Sequence, residues 1–128
     1  MISFLLSVRQ SFRLFLTVAY VGGIVALSLL PSNDFPRIEL FDGADKVVHF
    51  LMYFILSLLF CWTTKTELNY SWLFLIVPVT IGWGIFMEFM QLSMHQGRSF
   101  SVYDILANSL GVVSGTLIYL MAARKSFS

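Results

Sequence analysis

The residues of this chain that could do chemistry fall in two stretches. One is Asp45-Lys46-x-x-His49; the other runs from Glu88 through Gln91, His95, Arg98 and Asp104 to Asn108. An i, i+4 spacing lets the Asp45 carboxylate orient or charge-stabilise the His49 imidazole. His49 is then the expected general base or nucleophile. Glu88 lies between Met87 and Phe89 with no helix end to cap, and is the expected acid for a leaving group. Arg98, with Lys46, would clamp negative charge developing on a phosphoryl group. Asp45, His49, Glu88 and Asp104 thus form the expected catalytic set; Lys46, Gln91, Arg98 and Asn108 are expected to bind substrate. His49, Glu88 and Asp104 also offer one nitrogen and two carboxylates, an acceptable catalytic ligand set. Their spacing is too dispersed for a metal motif, so neither metal nor other cofactor is part of the expected site.

Each residue has a plainer reading. Asp45 could be a helix N-cap, and Lys46 could snorkel to head groups. Gln91 could be interhelical glue, His95 ordinary surface, and Arg98 an anchor to phospholipid phosphate. Ser101-x-x-Asp104 before an apolar run fits a capping box. Glu88 and Asn108 resist such readings best, because a buried carboxylate needs a partner or a proton.

The elements that must position these groups are membrane spans. The chain has 128 residues, 58% of them hydrophobic and 12% charged, with a mean hydropathy of +0.82; that excludes an ordinary soluble domain. A span needs about 20 apolar residues. Four segments qualify: 12–30, 47–62, 72–92 with Pro78 as an expected kink, and 103–123. The second is short and expected to tilt least. The first ends in Ser-Leu-Leu-Pro without a small-x-small cleavage site, so it reads as a retained helix rather than a signal peptide. The expected fold is a single all-α domain over 1–128, an integral membrane four-helix bundle with the fourth span central. The single cysteine, Cys61, excludes an intrachain disulfide, and a net charge of +1 gives no support to a nucleic-acid partner.

Lys and Arg favour the cytoplasmic side. Arg9, Arg13, Lys65, Arg124 and Lys125 fall on one side of four crossings. Arg37, Lys46 and Arg98 fall on the other, diluted by Asp34, Glu39, Asp42 and Asp45. Both termini are therefore expected in the cytoplasm. The polar residues of three spans then gather at the extracytoplasmic ends, where lipid head groups lie. Charged groups in a span usually face the bundle interior or a wet cavity. The inner halves look apolar, which argues against a transport pathway. Asp104, Asn108, Gly111 and Gly115 share one helix face, and Gly111-x-x-x-Gly115 allows close packing either within the chain or in a homo-oligomer.

These motifs together are Asp45-Lys46-x-x-His49-Phe50, Glu88-x-x-Gln91 and Arg98-x-x-Ser101-x-x-Asp104-x-x-x-Asn108-x-x-Gly111-x-x-x-Gly115. The chain resembles the VanZ-like family over nearly its whole length, including Ser28-Leu29-Leu30-Pro31. That resemblance implies a multi-pass protein of the bacterial plasma membrane. It further implies a link to resistance to the glycopeptide teicoplanin and, through remote relatives, a lipid head-group enzyme with its site near the membrane surface. The expected function is action on a lipid phosphate or lipid-linked head group, with a membrane lipid or polyprenyl-linked substrate. The alternative is a non-catalytic lipid- or antibiotic-binding membrane protein.

Overall fold

The structure is a computed structural model and describes residues 2–30, 43–65, 69–94 and 100–127, with backbone alone at 2, 126 and 127. Every regular element among them is helical. A short helix α1 (Ile2–Ser7) precedes α2 (Gln10–Leu29), α3 (Ala44–Thr64), α4 (Leu73–Ser93) and α5 (Val102–Phe127), and a single 3-10 turn at Tyr70–Trp72 leads into α4. The four long helices are each long and apolar enough to cross a membrane. Helix α3 begins at Ala44 and runs 21 residues, so the expected short second span is as long as its neighbours. The sequence reading stopped it at Trp62 and Val47, but polar Asp45, Lys46, Thr63 and Thr64 are helical too. Gly43 precedes α3 with φ 86° and serves as its N-cap, a conformation glycine reaches without steric cost. Asp45 is therefore a first-turn residue and not the cap. Helix α4 continues through Pro78, which leaves the Phe74 carbonyl without its usual i+4 donor.

The exterior is apolar: Phe74 is 87% exposed, and Phe4, Phe15, Leu110 and Met121 are all largely uncovered. In water this surface would drive aggregation; in hydrocarbon it is the correct solvent-facing surface. The interior is correspondingly mixed. Ile24, Tyr53, Leu56 and Val112 form a small apolar core, with Tyr20, Met52, Val77 and Trp83 packed against it. Around them lie buried Arg13, Thr17, Ser57, Thr80, Glu88, Asn108 and Thr116. Since lipid removes most of the hydrophobic reward for helix association, packing and interhelical hydrogen bonds must hold such a bundle.

Helices α3 and α4 each contact all three other long helices, and the most extensive interface joins α3 to α5, the span expected to be central. The reason is visible at two glycines. A Cβ at Gly111 would collide with the Phe50 carbonyl oxygen and come within 2.9 Å of the Phe54 nitrogen. One at Gly115 would strike the Ser57 hydroxyl and lie 2.5 Å from the Phe54 carbonyl oxygen. The Gly-x-x-x-Gly face is thus spent on packing within the chain. Cross-links tie α2 to the same frame: Tyr20 donates to the Met52 carbonyl at 3.0 Å, and Thr17 and Thr63 share a hydrogen bond at 2.8 Å.

At the end of the bundle that holds the α2 N-terminus, Arg13 is 2% exposed. It donates to the Trp62 carbonyl near the end of α3 and lies over the Trp62 ring, 5.8 Å from its centroid. That guanidinium caps a helix C-terminus, where cations are favoured. The sequence reading counted Arg13 only as a charge flanking the membrane. With Thr17 and Thr63 beside it, this end is not wholly apolar, but the Ile24–Tyr53–Leu56–Val112 core lies among the helices between it and the polar residues of the other end.

Replacing Gly111 or Gly115 by Ala should each cost about 1–3 kcal/mol, since backbone atoms cannot yield to the new methyl. A lowered thermal midpoint by circular dichroism in detergent would register it. Ala at Gly22 or Gly23, where a Cβ meets nothing within 4 Å, should hold or raise the midpoint. The reverse ranking would mean that the close approach lies elsewhere.

Candidate functional site

Three helices deliver polar side chains to the end of the bundle where α3 and α5 begin and α4 finishes. Helix α3 supplies Asp45, Lys46 and His49, α4 supplies Glu88, and α5 supplies Asp104 and Asn108. The Gly111 contact falls on Phe50, the residue next to His49 in α3, and lies one turn from Asn108 along α5. The close approach of the two backbones therefore sets the spacing of the side chains.

His49 is the hub. Its Nδ1 lies 3.1 Å from Asn108 Oδ1. An amide oxygen can only accept, so Nδ1 carries the proton in this contact and, in the neutral ring, Nε2 keeps its lone pair. Nε2 faces Asp104 Oδ2 at 3.8 Å, and Nδ1 stands 4.0 Å from Glu88 Oε1. Lys46 extends its ammonium to Asp104 Oδ1 at 2.8 Å and also pairs with Asp45. Asp104 Oδ1 is buried, and although the ammonium is near, no aligned hydrogen bond reaches it. Access from outside runs past Lys46, His49 and Asp104, whose side chains keep 36%, 19% and 13% of their surface; Glu88 keeps 2%.

The start of α5 explains why Asp104 is available. In a complete capping box the serine hydroxyl would take the Asp104 amide while the Asp104 carboxylate took the serine amide. Only the first half forms: the Asp104 amide donates to Ser101 Oγ at 3.3 Å. The Ser101 amide instead donates to Glu88 Oε2, also at 3.3 Å. Glu88 thus performs the second half from a neighbouring helix, and the Asp104 carboxylate is released toward Lys46 and His49. Ser101 entered the sequence reading only as a cap; the bond that gives it a part in the site joins residues 13 apart.

Placement differs from expectation for Asp45 and Gln91. Asp45 does not hold His49: it is exposed, and among the described residues its ion-pair partner is Lys46. Its i, i+4 spacing permits contact with the ring, but Asn108 and Asp104 approach from the other side and position it. Gln91 is buried, and its Nε2 donates to the Ser28 carbonyl at 3.0 Å, which ties α4 to the end of α2. Arg98, the expected clamp, lies outside the described residues, as does His95. Lys46, His49, Glu88, Asp104 and Asn108 are brought together.

Arranged so, the cluster has a partly exposed cation at its mouth, an imidazole held by Asn108 behind it, and two carboxyl groups. It can accept an anionic group at Lys46 and move a proton at His49 Nε2. Removing one partner of a buried hydrogen bond costs about 1–3 kcal/mol, so Asn108→Ala should be destabilised to that extent. The tautomer is directly readable from ring ¹⁵N shifts in a His95→Gln background: in the neutral ring, Nδ1 should carry the proton and Nε2 be bare. Asn108→Ala should relax it toward the Nε2–H form. An unchanged ring spectrum in that variant would mean that something other than Asn108 orients His49.

Comparison with known proteins agrees with the expected resemblance. No solved structure matches the chain. A curated protein of fission yeast (Schizosaccharomyces pombe), named Uncharacterized protein C11E3.10, is 31% identical over 81 residues, which is 63% of this chain and 49% of that protein. The chain thus spans about half the length of this relative. The family described as VanZ/LLP1 matches residues 2–123. On that nearly complete match, the chain is a member of the VanZ/LLP1 family.

Proposed function

We propose that this protein acts on a lipid phosphate or lipid-linked head group at the extracytoplasmic surface of the cell membrane. The carrying observation is the convergence of Lys46, His49, Glu88 and Asp104 from three separate helices within ion-pair distances at one end of the bundle. A single charged residue near a helix end is ordinary, whereas a shared cluster at head-group depth requires each helix to bring a costly group to one place. The excess of Lys and Arg on the opposite flanks supports placing this end outside the cytoplasm and both termini inside.

In this reading the Lys46 ammonium, more than a third exposed, turns from Asp104 and Asp45 to the phosphate oxygens of a head group. Arg98, which follows α4 in the chain, adds a second clamp. His49 Nε2 takes the proton of an attacking hydroxyl or water as its oxygen bonds to phosphorus. The bond from phosphorus to the leaving oxygen breaks, and Glu88 returns a proton to that oxygen. Asp104 braces Lys46 and the imidazolium that forms, and Asn108 holds the ring. The apolar flanks of the bundle accommodate the acyl or polyprenyl tail. In a bacterial host, altered envelope head groups are the route by which the protein would affect teicoplanin susceptibility.

A second reading, lipid or antibiotic binding without turnover, draws on how little of the cluster is open, with His49 at 19% and Glu88 at 2% side-chain exposure. The two separate in one experiment. Full-length protein in detergent–lipid micelles, given radiolabelled acyl and polyprenyl phosphates, should release or transfer the label. His49→Ala and Glu88→Gln should each lower that rate by about 10²–10⁴-fold, the usual worth of a positioned acid or base. Retained lipid-phosphate binding without turnover, lost in Lys46→Gln but kept in His49→Gln, would replace catalysis by binding.

A further inference from the structure

Two carboxyl groups, Glu88 and Asp104, converge on the His49 ring, and among the described residues the ammonium beside them, that of Lys46, is shared between Asp104 and the exposed Asp45. Carboxylates withdrawn from water need compensation by a proton or a cation. From this convergence we infer that His49, Glu88 and Asp104 form a divalent-cation site with Asn108 as its neighbour, and that the cation bridges the carboxylates to the head-group phosphate. The inference rests on the head-group reading for its substrate, but the binding of the cation stands by itself.

Geometry supports the assignment independently of charge. One ligand atom from each of His49, Glu88 and Asp104 lies within 4.8 Å of the other two. Some point is then within roughly 2.8 Å of all three atoms, against about 2.0–2.6 Å for metal–ligand bonds. Closing that difference needs shifts of a few tenths of an ångström, within reach of side-chain torsions. Two carboxylate oxygens have capacity for it. Glu88 Oε1, on a side chain 2% exposed, faces His49 beyond hydrogen-bond length at 4.0 Å. Asp104 Oδ1 is buried beside the Lys46 ammonium at 2.8 Å and keeps a second lone pair. Lys46 is the resident competitor, and because its chain is partly exposed it can leave Asp104 for the surface.

The donor set indicates the cation. Two carboxylates and a nearby amide oxygen favour hard ions, and a single imidazole favours the borderline ones. Mn²⁺ meets both preferences and leaves coordination positions for phosphate oxygens. Bridging by the cation would polarise the phosphoryl oxygens directly. With the cation in place, His49 is a ligand, and proton acceptance at its ring describes only the cation-free site.

Full-length protein in detergent, stripped with chelator, should be titrated with MnCl₂ while the free-Mn²⁺ electron paramagnetic resonance signal is followed. One Mn²⁺ should be taken up per chain. His49→Ala, Glu88→Gln and Asp104→Asn should each weaken uptake at least tenfold while their helical circular dichroism stays that of the parent. Lys46→Gln should bind more tightly, because a competing cation is gone. Absence of uptake at millimolar Mn²⁺, or uptake that all three variants retain, overturns the site. Lipid-phosphate turnover that persists in chelator with no Mn²⁺ bound overturns the bridging role and leaves the head-group reading intact. Stoichiometric uptake without turnover supports the cation site and counts against the head-group reading alone.

Discussion

Two helices can bring backbone against backbone only where one of them presents no side chain at the crossing. In this protein that place is Gly111 and Gly115 of α5, set against Phe50, Phe54 and Ser57 of α3. Hydrocarbon gives little drive for helices to associate, so a contact close enough to maximise dispersion forces has to substitute for the hydrophobic effect. The rest of the bundle is arranged about it. Helix α3 gains a fixed partner, α2 attaches through Tyr20, Thr17 and Arg13, and α4 attaches through Gln91 and Glu88.

The same approach gives the polar cluster its form. His49 immediately precedes the glycine contact on α3, and Asn108 and Asp104 lie one and two turns before it on α5. Wider separation of the helices would leave His49 without Asn108 and would expose the carboxylate of Asp104 to lipid. Glu88 adds a second constraint, because its bond to the Ser101 amide completes the start of α5. Structural and chemical demands therefore meet in one side chain. A buried acid that also ends a helix is held in place more firmly than one kept for chemistry alone, and that rigidity suits a site that must hold several charges at fixed distances.

Much of this was legible in the sequence, for identifiable reasons. Four apolar runs of span length give four helices, since no other open structure satisfies backbone polar groups in a bilayer. The stripe of Asp104, Asn108, Gly111 and Gly115 already showed which face of the last helix must meet protein. What spacing could not show was which partner would win when several were within reach. Asp45 and His49 are neighbours along α3, yet Asp45 pairs with Lys46 while the ring is taken by α5. Asp104 looked half explained by capping, and only the three-dimensional route from Ser101 to Glu88 shows that its carboxylate leaves the cap to pair with Lys46. Arg13 read as a flanking charge because its acceptor, the Trp62 carbonyl, lies 49 residues away. Contacts between helices lie outside the range over which spacing carries information.

The central claim is spatial: His49 of α3 sits between Asn108 and Asp104 of α5 when the protein is in a lipid bilayer. Magic-angle-spinning NMR on protein with ¹⁵N-labelled histidine and ¹³C-labelled Asp and Asn side-chain carbonyls, in a His95→Gln background, measures that placement through ¹⁵N–¹³C dipolar couplings. The expected result is strong coupling of the His49 ring to both an Asn and an Asp carbonyl carbon, matching nitrogen–oxygen separations of 3.1 and 3.8 Å. A ring that couples to neither carbonyl, and shows contacts to lipid acyl protons instead, would contradict it.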